Sequence, residues 1–235
     1  MTNIYISGTS SGLGKFLIKS ISNSKKFFRN KNNNIKKNSI LVHSAFFKKT
    51  HKKESKKQIE LNTKYTLNLF KKIKAHKFNS IVFISSIDVS DKSSKNSYVL
   101  LKRKLENELK KTKNFYIFRC GNFIGKYMRR NSIYKLIKSK SKTKITLSKK
   151  SSIYLTSYND LLDGIKKIIK QKKIKNGIYN AISKNKLYFK NFENKNIIFG
   201  NYNLNYKKIS NLKFEKNFKI KTKTINKLVK EINKI

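Results

Sequence analysis

The sequence predicts an α/β protein whose parallel sheet is covered by helices on both faces. Two observations carry that reading. Short strands of the buried type alternate with stretches of helical periodicity through the first 120 residues, and a glycine-rich turn joins the first strand directly to the first helix. A chain of 235 residues is long enough to bury a full core, and 12 Tyr and 16 Phe supply bulky side chains for it.

The elements follow in order. Asn3-Ile4-Tyr5-Ile6-Ser7 reads as a strand, and Lys15-Phe16-Leu17-Ile18 opens a helix. The polar stretch from Ser22 to Asn38 has room for one short strand at Lys26-Phe27-Phe28. Ser39 to His43 is a buried-type strand, and residues 56–76 set Ile59, Leu67, Phe70 and Ile73 at helical spacing. Ser80 to Ile84 is a strand ending on Ser85-Ser86; a helix over 96–111 and a strand at Phe115 to Phe118 follow. Beyond residue 120 the pattern loosens to helices at 132–138 and 160–170, a strand at 178–180 and a terminal helix at 224–232. The lysine- and serine-rich stretch 138–150 reads as a solvated loop or edge. No internal repeat or linker interrupts the chain, so one domain over 1–235 is expected.

Charge is the extreme feature: 58 basic residues against 11 acidic give a formal +47. By itself that reads as nucleic-acid or anionic-surface binding. The composition supplies a different source. Only five basic residues are Arg, Ala occurs only at 45, 75 and 181, and Pro and Trp are absent, while Lys, Asn and Ile abound. Residues with A/T-rich codons have displaced those with G/C-rich codons, and the lysines are dispersed rather than gathered in a tail. No specific nucleic-acid partner is therefore expected, only weak polyanion binding at low salt. One cysteine excludes a disulfide framework, and three scattered histidines form no metal-ligand pattern. No apolar run approaches the roughly 18 residues of a membrane span, and a strand in the first few residues leaves no leader peptide. A cytoplasmic protein without membrane contact is the expectation.

Three of only eight glycines fall within Gly8-Thr9-Ser10-Ser11-Gly12-Leu13-Gly14, between the first strand and the first helix. Glycine there permits a tight turn and lets backbone N–H groups approach a pyrophosphate at the helix N-terminus. Tyr98 and Lys102, four apart, share one helix face. The spacing alone is uninformative, because so many lysines yield about three such pairs by chance and two are found, the other being Tyr134/Lys138. The order is informative: Tyr98/Lys102 follows a nucleotide-type loop and a strand ending in Ser86, twelve residues earlier.

That ordered set resembles the short-chain dehydrogenase/reductase superfamily, especially its NAD-dependent epimerase/dehydratase branch. The likeness runs from residue 3 to about 183. Gly8-x3-Gly12-x-Gly14 is similar to the cofactor loop, and Val42-His43-Ser44-Ala45 to the strand end that passes beside the cofactor. Asn62 sits where the branch opens its central helix with Asn. Phe83-Ile84-Ser85-Ser86 resembles the catalytic strand, and Tyr98 to Lys102 with Glu106 the catalytic helix. Arg119-Cys120-Gly121-Asn122-Phe123-Ile124-Gly125 is similar to the Arg-x-Gly-Asn-x-x-Gly segment, and Tyr154 to Ile165 and Gly177 to Asn180 to the later helix and last strand.

The resemblance implies a Rossmann-like, doubly wound sheet with a small C-terminal substrate-binding region drawn from 121–152 and 184–235. It implies NAD or NADP held by Gly8, Ser10, Ser11, Gly12, Leu13, Gly14, Arg29, Ser44, Ala45, Asn62, Tyr98 and Lys102. Catalysis would fall to Ser86, Tyr98 and Lys102, with Ser86, Asp88 and Asn122 facing the substrate. A phenol is a poor base at neutral pH, and a nearby ammonium favours its ionised form. Tyr98 would then act as general acid/base, Lys102 would also hold the nicotinamide ribose, and Ser86 would bond the substrate carbonyl or hydroxyl. The expected activity is hydride transfer in reduction or epimerisation of a nucleotide-linked sugar. Alternatives are reduction of another small carbonyl compound, or a regulator that binds dinucleotide without catalysis. Relatives often pair as homodimers through helices placed like 56–76 and 96–111.

Departures refine the picture. The segment before Ile40 is short for two full βα units, so the adenine side is expected to be reduced. No acidic residue precedes Glu54, and Arg29 and Lys31 lie in this region, which leans toward NADP. Dehydratases carry Asp-Glu after the catalytic Ser/Thr; Ile87 and Asp88 stand there, which favours a ketoreductase or epimerase. Cys120 and His43 are read as packing residues.

Overall fold

The computed structural model describes residues 2–10, 12–28, 34–45, 56–75, 78–170, 173–192 and 195–233. Its elements are, in chain order, β1 (Asn3–Ser7), α1 (Gly12–Ser20), β2 (Ser24–Lys26), β3 (Ser39–His43), α2 (Lys56–Ala75), β4 (Ser80–Ser86), α3 (Ser97–Leu109), β5 (Phe115–Cys120) and β6 (Asn122–Ile124). There follow α4 (Ser132–Lys138), β7 (Thr143–Lys144), β8 (Ser152–Ile153), β9 (Leu155–Ser157), α5 (Tyr158–Ile169), β10 (Gly177–Ala181), β11 (Leu187–Tyr188), β12 (Ile197–Ile198), α6 (Leu212–Phe218) and α7 (Ile225–Asn233).

Six strands form one parallel sheet in the order β10-β5-β4-β3-β1-β2. This is the doubly wound α/β arrangement expected. Strand residues alternate between two buried faces, as a sheet covered on both sides requires. Ile4, Ile6, Ile40, Val42 and Val82 pack with α1, α5 and α6, whereas Tyr5, Leu41, Ile81, Phe83 and Ile117 pack against Phe70 and Ile73 of α2 and Leu105 and Leu109 of α3. The order reverses beside β1, where the chain goes out to β2 and returns to β3 on the other side. Ligands of such sheets bind at this switch point, outside the carboxyl ends of the strands.

The edge beyond β1 is thin. The strand expected at Lys26 to Phe28 runs instead over Ser24–Lys26, because the buried Phe27 already turns inward while its N–H still bonds the Ile6 carbonyl. No helix is described between β2 and β3. Asn23 and Asn38, which bracket this excursion, take left-handed backbone at φ 58 and 56. Asn tolerates that region better than most residues, so it serves where a glycine-poor composition offers no glycine.

A second core lies beyond the sheet. Ile124, Ile133, Leu136, Ile145, Leu147, Ile153 and Leu155 pack with Leu187, Phe189, Ile197, Leu228 and Ile232. Two-residue strands bind these segments, β7 with β12 in parallel and β8 with β11 antiparallel, and α4 lies against α7. The stretch 138–150 is thus not simply solvated: β7 and the buried Ile145 and Leu147 anchor it. Their apolar side chains are too few among the lysines to stand out by periodicity. Among the described residues, no helix is long and apolar enough to cross a membrane, and no group of three or more His, Cys, Asp or Glu side chains could hold a metal ion.

Candidate active site

Local chemistry fixes the turn after β1. Gly8 and Gly12 take φ of 72 and 56, where a side chain is strained. Gly14 is constrained by space: a Cβ there would stand 2.0 Å from the Gly8 carbonyl oxygen, so the helix closes directly on the loop. Gly14→Ala is expected to cost about 3 kcal/mol or more, as overpacking against backbone does. Urea denaturation should show the loss, and dinucleotide binding should disappear with it.

The ends of β1 and β3 are tied together beneath this loop. Ser7 Oγ accepts from the N–H groups of Ser44 and Ala45 at 3.2 and 3.3 Å, and Ser44 Oγ donates to the Ser7 carbonyl at 2.6 Å. The Ser7 proton therefore goes to His43 Nδ1, 2.7 Å away. His43 is buried and stacked on Phe83, and burial lowers its pKa to about 3, so it is a neutral packing residue.

The catalytic-type side chains come from β4 and α3. Asn96 caps α3 by accepting from the Tyr98 N–H at 3.1 Å, which starts the helix so that Tyr98 and Lys102 face the sheet end. The Lys102 ammonium donates to the Ile84 carbonyl at 2.7 Å and lies over the rings of Phe83 and Tyr98, at 4.9 and 5.3 Å from their centroids. Burial pulls its pKa down to about 8, opposed by the carboxylates of Glu106 and Asp88. Tyr98 is half-buried and hydrogen-bonded to Ser86.

One expectation is corrected here. The ammonium was expected to favour the Tyr98 phenolate, yet burial pushes this phenol above its ordinary range, reinforced by the negative charge of Asp88. In the protein alone Tyr98 holds its proton.

Helix α3 is anchored by Glu106, which is 1% exposed. Its carboxylate accepts from Arg119 Nη2 at 2.6 Å, from Arg119 Nε at 3.1 and 3.2 Å, and from Ser85 Oγ at 2.6 Å. Three elements, α3, β4 and β5, meet on this one carboxylate.

A single cleft of about 900 Å³, a size ordinary for small-molecule sites, opens at the strand ends. Gly8, Ser10, Gly12, Leu13, Gly14, Ser44, Ala45, Ser86, Asp88, Tyr98, Lys102 and Asn122 all line it. Ser11 and Arg29 lie outside the described residues, as does Lys31; Asn62 lies in α2, but its side chain is outside what is described. Cys120 is buried at the cleft floor, and burial raises its thiol. Sequence reasoning missed Phe28, Arg129, Arg130 and Tyr206 on the walls. Of these, only the paired arginines, in a chain with five, carried a signal that could have marked them.

No family model and no curated protein matches the chain. Solved structures do. MoeE5 in complex with UDP-glucuronic acid and NAD aligns with a TM-score of 0.79 at 11% identity, over 98% of each chain. UDP-glucuronic acid 4-epimerase from Bacillus cereus, with UDP-glucuronic acid and NAD, gives 0.76 at 13% identity, over 99% of this chain and 97% of that one. RMD from Pseudomonas aeruginosa, complexed with NADPH, gives 0.71 at 15% identity, over 99% and 96%. At these identities the likeness is one of fold, and it extends over the whole chain, including the second core.

Proposed function

We propose that this protein is an NAD(P)-dependent oxidoreductase of the short-chain dehydrogenase/reductase type, acting on a carbonyl or hydroxyl of a nucleotide-linked sugar. The observation that carries the reading is that one cleft at the switch point holds both a glycine cradle and the Ser86, Tyr98 and Lys102 side chains. Support for the sugar comes from the similar structures bound to UDP-sugars and NAD.

The residues present fit a dinucleotide. Gly8 and Gly12 leave backbone accessible at the N-terminus of α1, and the buried Gly14, where a Cβ would meet the Gly8 carbonyl, lets the helix close on the turn. Ser10, Leu13, Ser44 and Ala45 would continue the cofactor wall, and Lys102 would hold a ribose. When bound, the nicotinamide supplies the hydride donor or acceptor. Tyr98 passes the proton at the substrate oxygen, Lys102 places a positive charge beside that phenol, and Asn122 and Asp88 face the substrate. An ammonium is costly to bury. Keeping Lys102 charged in this cleft favours an acid/base role over a protein that only binds dinucleotide.

The test is titration of the protein with NADPH and with NADH, following nicotinamide fluorescence at about 0.3 M salt, where screening is strong. Saturable binding of either is expected, and the tighter one identifies the cofactor. Absence of saturable binding by both would overturn the reading.

A further inference from the structure

Gly12, Leu13 and Gly14 at the start of α1 line the cleft, and the first N–H groups of a helix have no acceptor within it. A phenol from elsewhere in the fold reaches the same place. A Cβ on Gly12 would stand 3.3 Å from the hydroxyl oxygen of Tyr158, which also lines the cleft. Ser157 caps α5 by accepting from the N–H groups of Asn159 and Asp160 at 3.2 and 3.4 Å, which makes Tyr158 the first helical residue. Its ring stacks on Phe16 of α1, with centroids 5.3 Å apart, and tilts against Phe123 of β6 at 5.6 Å. Backbone closes another side: a Cβ on Gly125 would stand 2.3 Å from the ring, so glycine there makes room for it.

Tyr158 is 2% exposed. A buried phenol usually finds a hydrogen-bond partner, because leaving one unpaired is costly. The Tyr158 hydroxyl has none among the described residues. A phenylalanine would fill the same space between Phe16, Phe123 and Gly125, so packing accounts for the ring but not for the oxygen. Burial raises this phenol above its ordinary range, against the pull of Arg129, which also lines the cleft. The hydroxyl therefore keeps its proton at ordinary pH and is available as a donor.

We propose that Tyr158 is a cofactor-binding residue whose hydroxyl donates to the pyrophosphate of the dinucleotide, where that group meets the N-terminus of α1. The proposal rests on the dinucleotide reading above. Ionised phosphate oxygens only accept, so the phenol proton and the helix N–H groups can serve one anion together. The positive charge of Arg129 acts in the same direction. The phenol thereby gains the partner that the protein alone does not supply, and the cofactor joins α5 to the glycine loop.

The test is Tyr158→Phe, titrated with NADH and NADPH by nicotinamide fluorescence at about 0.3 M salt and unfolded in urea without cofactor. The preferred dinucleotide should bind the variant about tenfold or more weakly, the size of a hydrogen bond to a charged group. The urea midpoint should stay level or rise, because the oxygen removed has no partner in the free protein. Calorimetric titration with UDP-glucuronic acid, on both proteins saturated with the reduced cofactor, separates the cofactor's pyrophosphate from that of a nucleotide sugar. Affinity there should be the same for both proteins. Equal or tighter dinucleotide binding by the variant would overturn the proposal and leave the cofactor reading standing. So would a weakening matched by a lower urea midpoint, which marks a packing role, or a loss confined to the nucleotide sugar. Failure of the unaltered protein to bind either dinucleotide would instead remove the cofactor reading, and this proposal with it.

Discussion

Tyr98→Phe is expected to lower kcat by about 10² to 10⁴, the usual worth of a positioned acid/base, while leaving NAD(P)H affinity within about twofold. The ring stays, so the cation–π contact with Lys102 persists and only the proton-bearing oxygen goes. Steady-state kinetics beside a fluorescence titration would check it; unchanged turnover would remove Tyr98 from the chemistry. The pH profile adds a second reading. Burial brings the Lys102 pKa from 10.5 to about 8, and the active form is the ammonium. kcat/KM should therefore be full below this value and fall as pH rises through about 8, where an ordinary lysine would still be charged.

The second large effect is structural. Arg119→Met should destabilise the protein by about 3 kcal/mol, because it leaves Glu106 as an uncompensated buried charge. Partial exposure of the guanidinium, at 20%, sets the figure at the low end of what breaking buried pairs costs. Adding Glu106→Gln should restore a good part of the loss, since the deficit is the orphaned carboxylate rather than the missing arginine. Urea denaturation of the two single variants and the double variant measures this directly, and additive losses would show that the pair is not coupled. Turnover should fall along with stability, because the same carboxylate fixes the helix that carries Tyr98 and Lys102.

What could be read from the sequence divides along the range of the forces involved. The glycine loop, the strand ending in Ser86 and the Tyr98/Lys102 pair are legible because each is a local device: a turn, a two-residue alternation, a spacing of one helical turn. The parallel sheet follows from repeating those devices. The partners of the site residues are not local. Nothing near Gly12 announces Tyr158, and nothing near Glu106 fixes its pairing with Arg119 rather than with one of many lysines. The second core escaped for a related reason. Its strands are two residues long, too short for periodicity to register, and tertiary contact alone pins them. Even the ionisation of Tyr98 was misjudged from sequence, since proximity of an ammonium can be guessed from spacing whereas the depth of burial that outweighs it cannot.

The interleaving of the second core has a kinetic consequence. One half of it comes from residues 124–155 and the other from 187–232, and α5 and β10 of the main sheet lie between them in the chain. Joining the halves from an unfolded chain means closing a long loop, a cost repaid only after the ends have met. Once α5 and β10 have docked, most of that loop is already ordered and the ends are brought near each other. Assembly should therefore be hierarchical, with the sheet forming first and the smaller core condensing onto it as a separate, less stable cooperative unit. Amide exchange would then be fastest in α4, α7 and the short strand pairs. The cleft, bounded on one side by each unit, would be the last feature of the molecule to mature and the first to be lost.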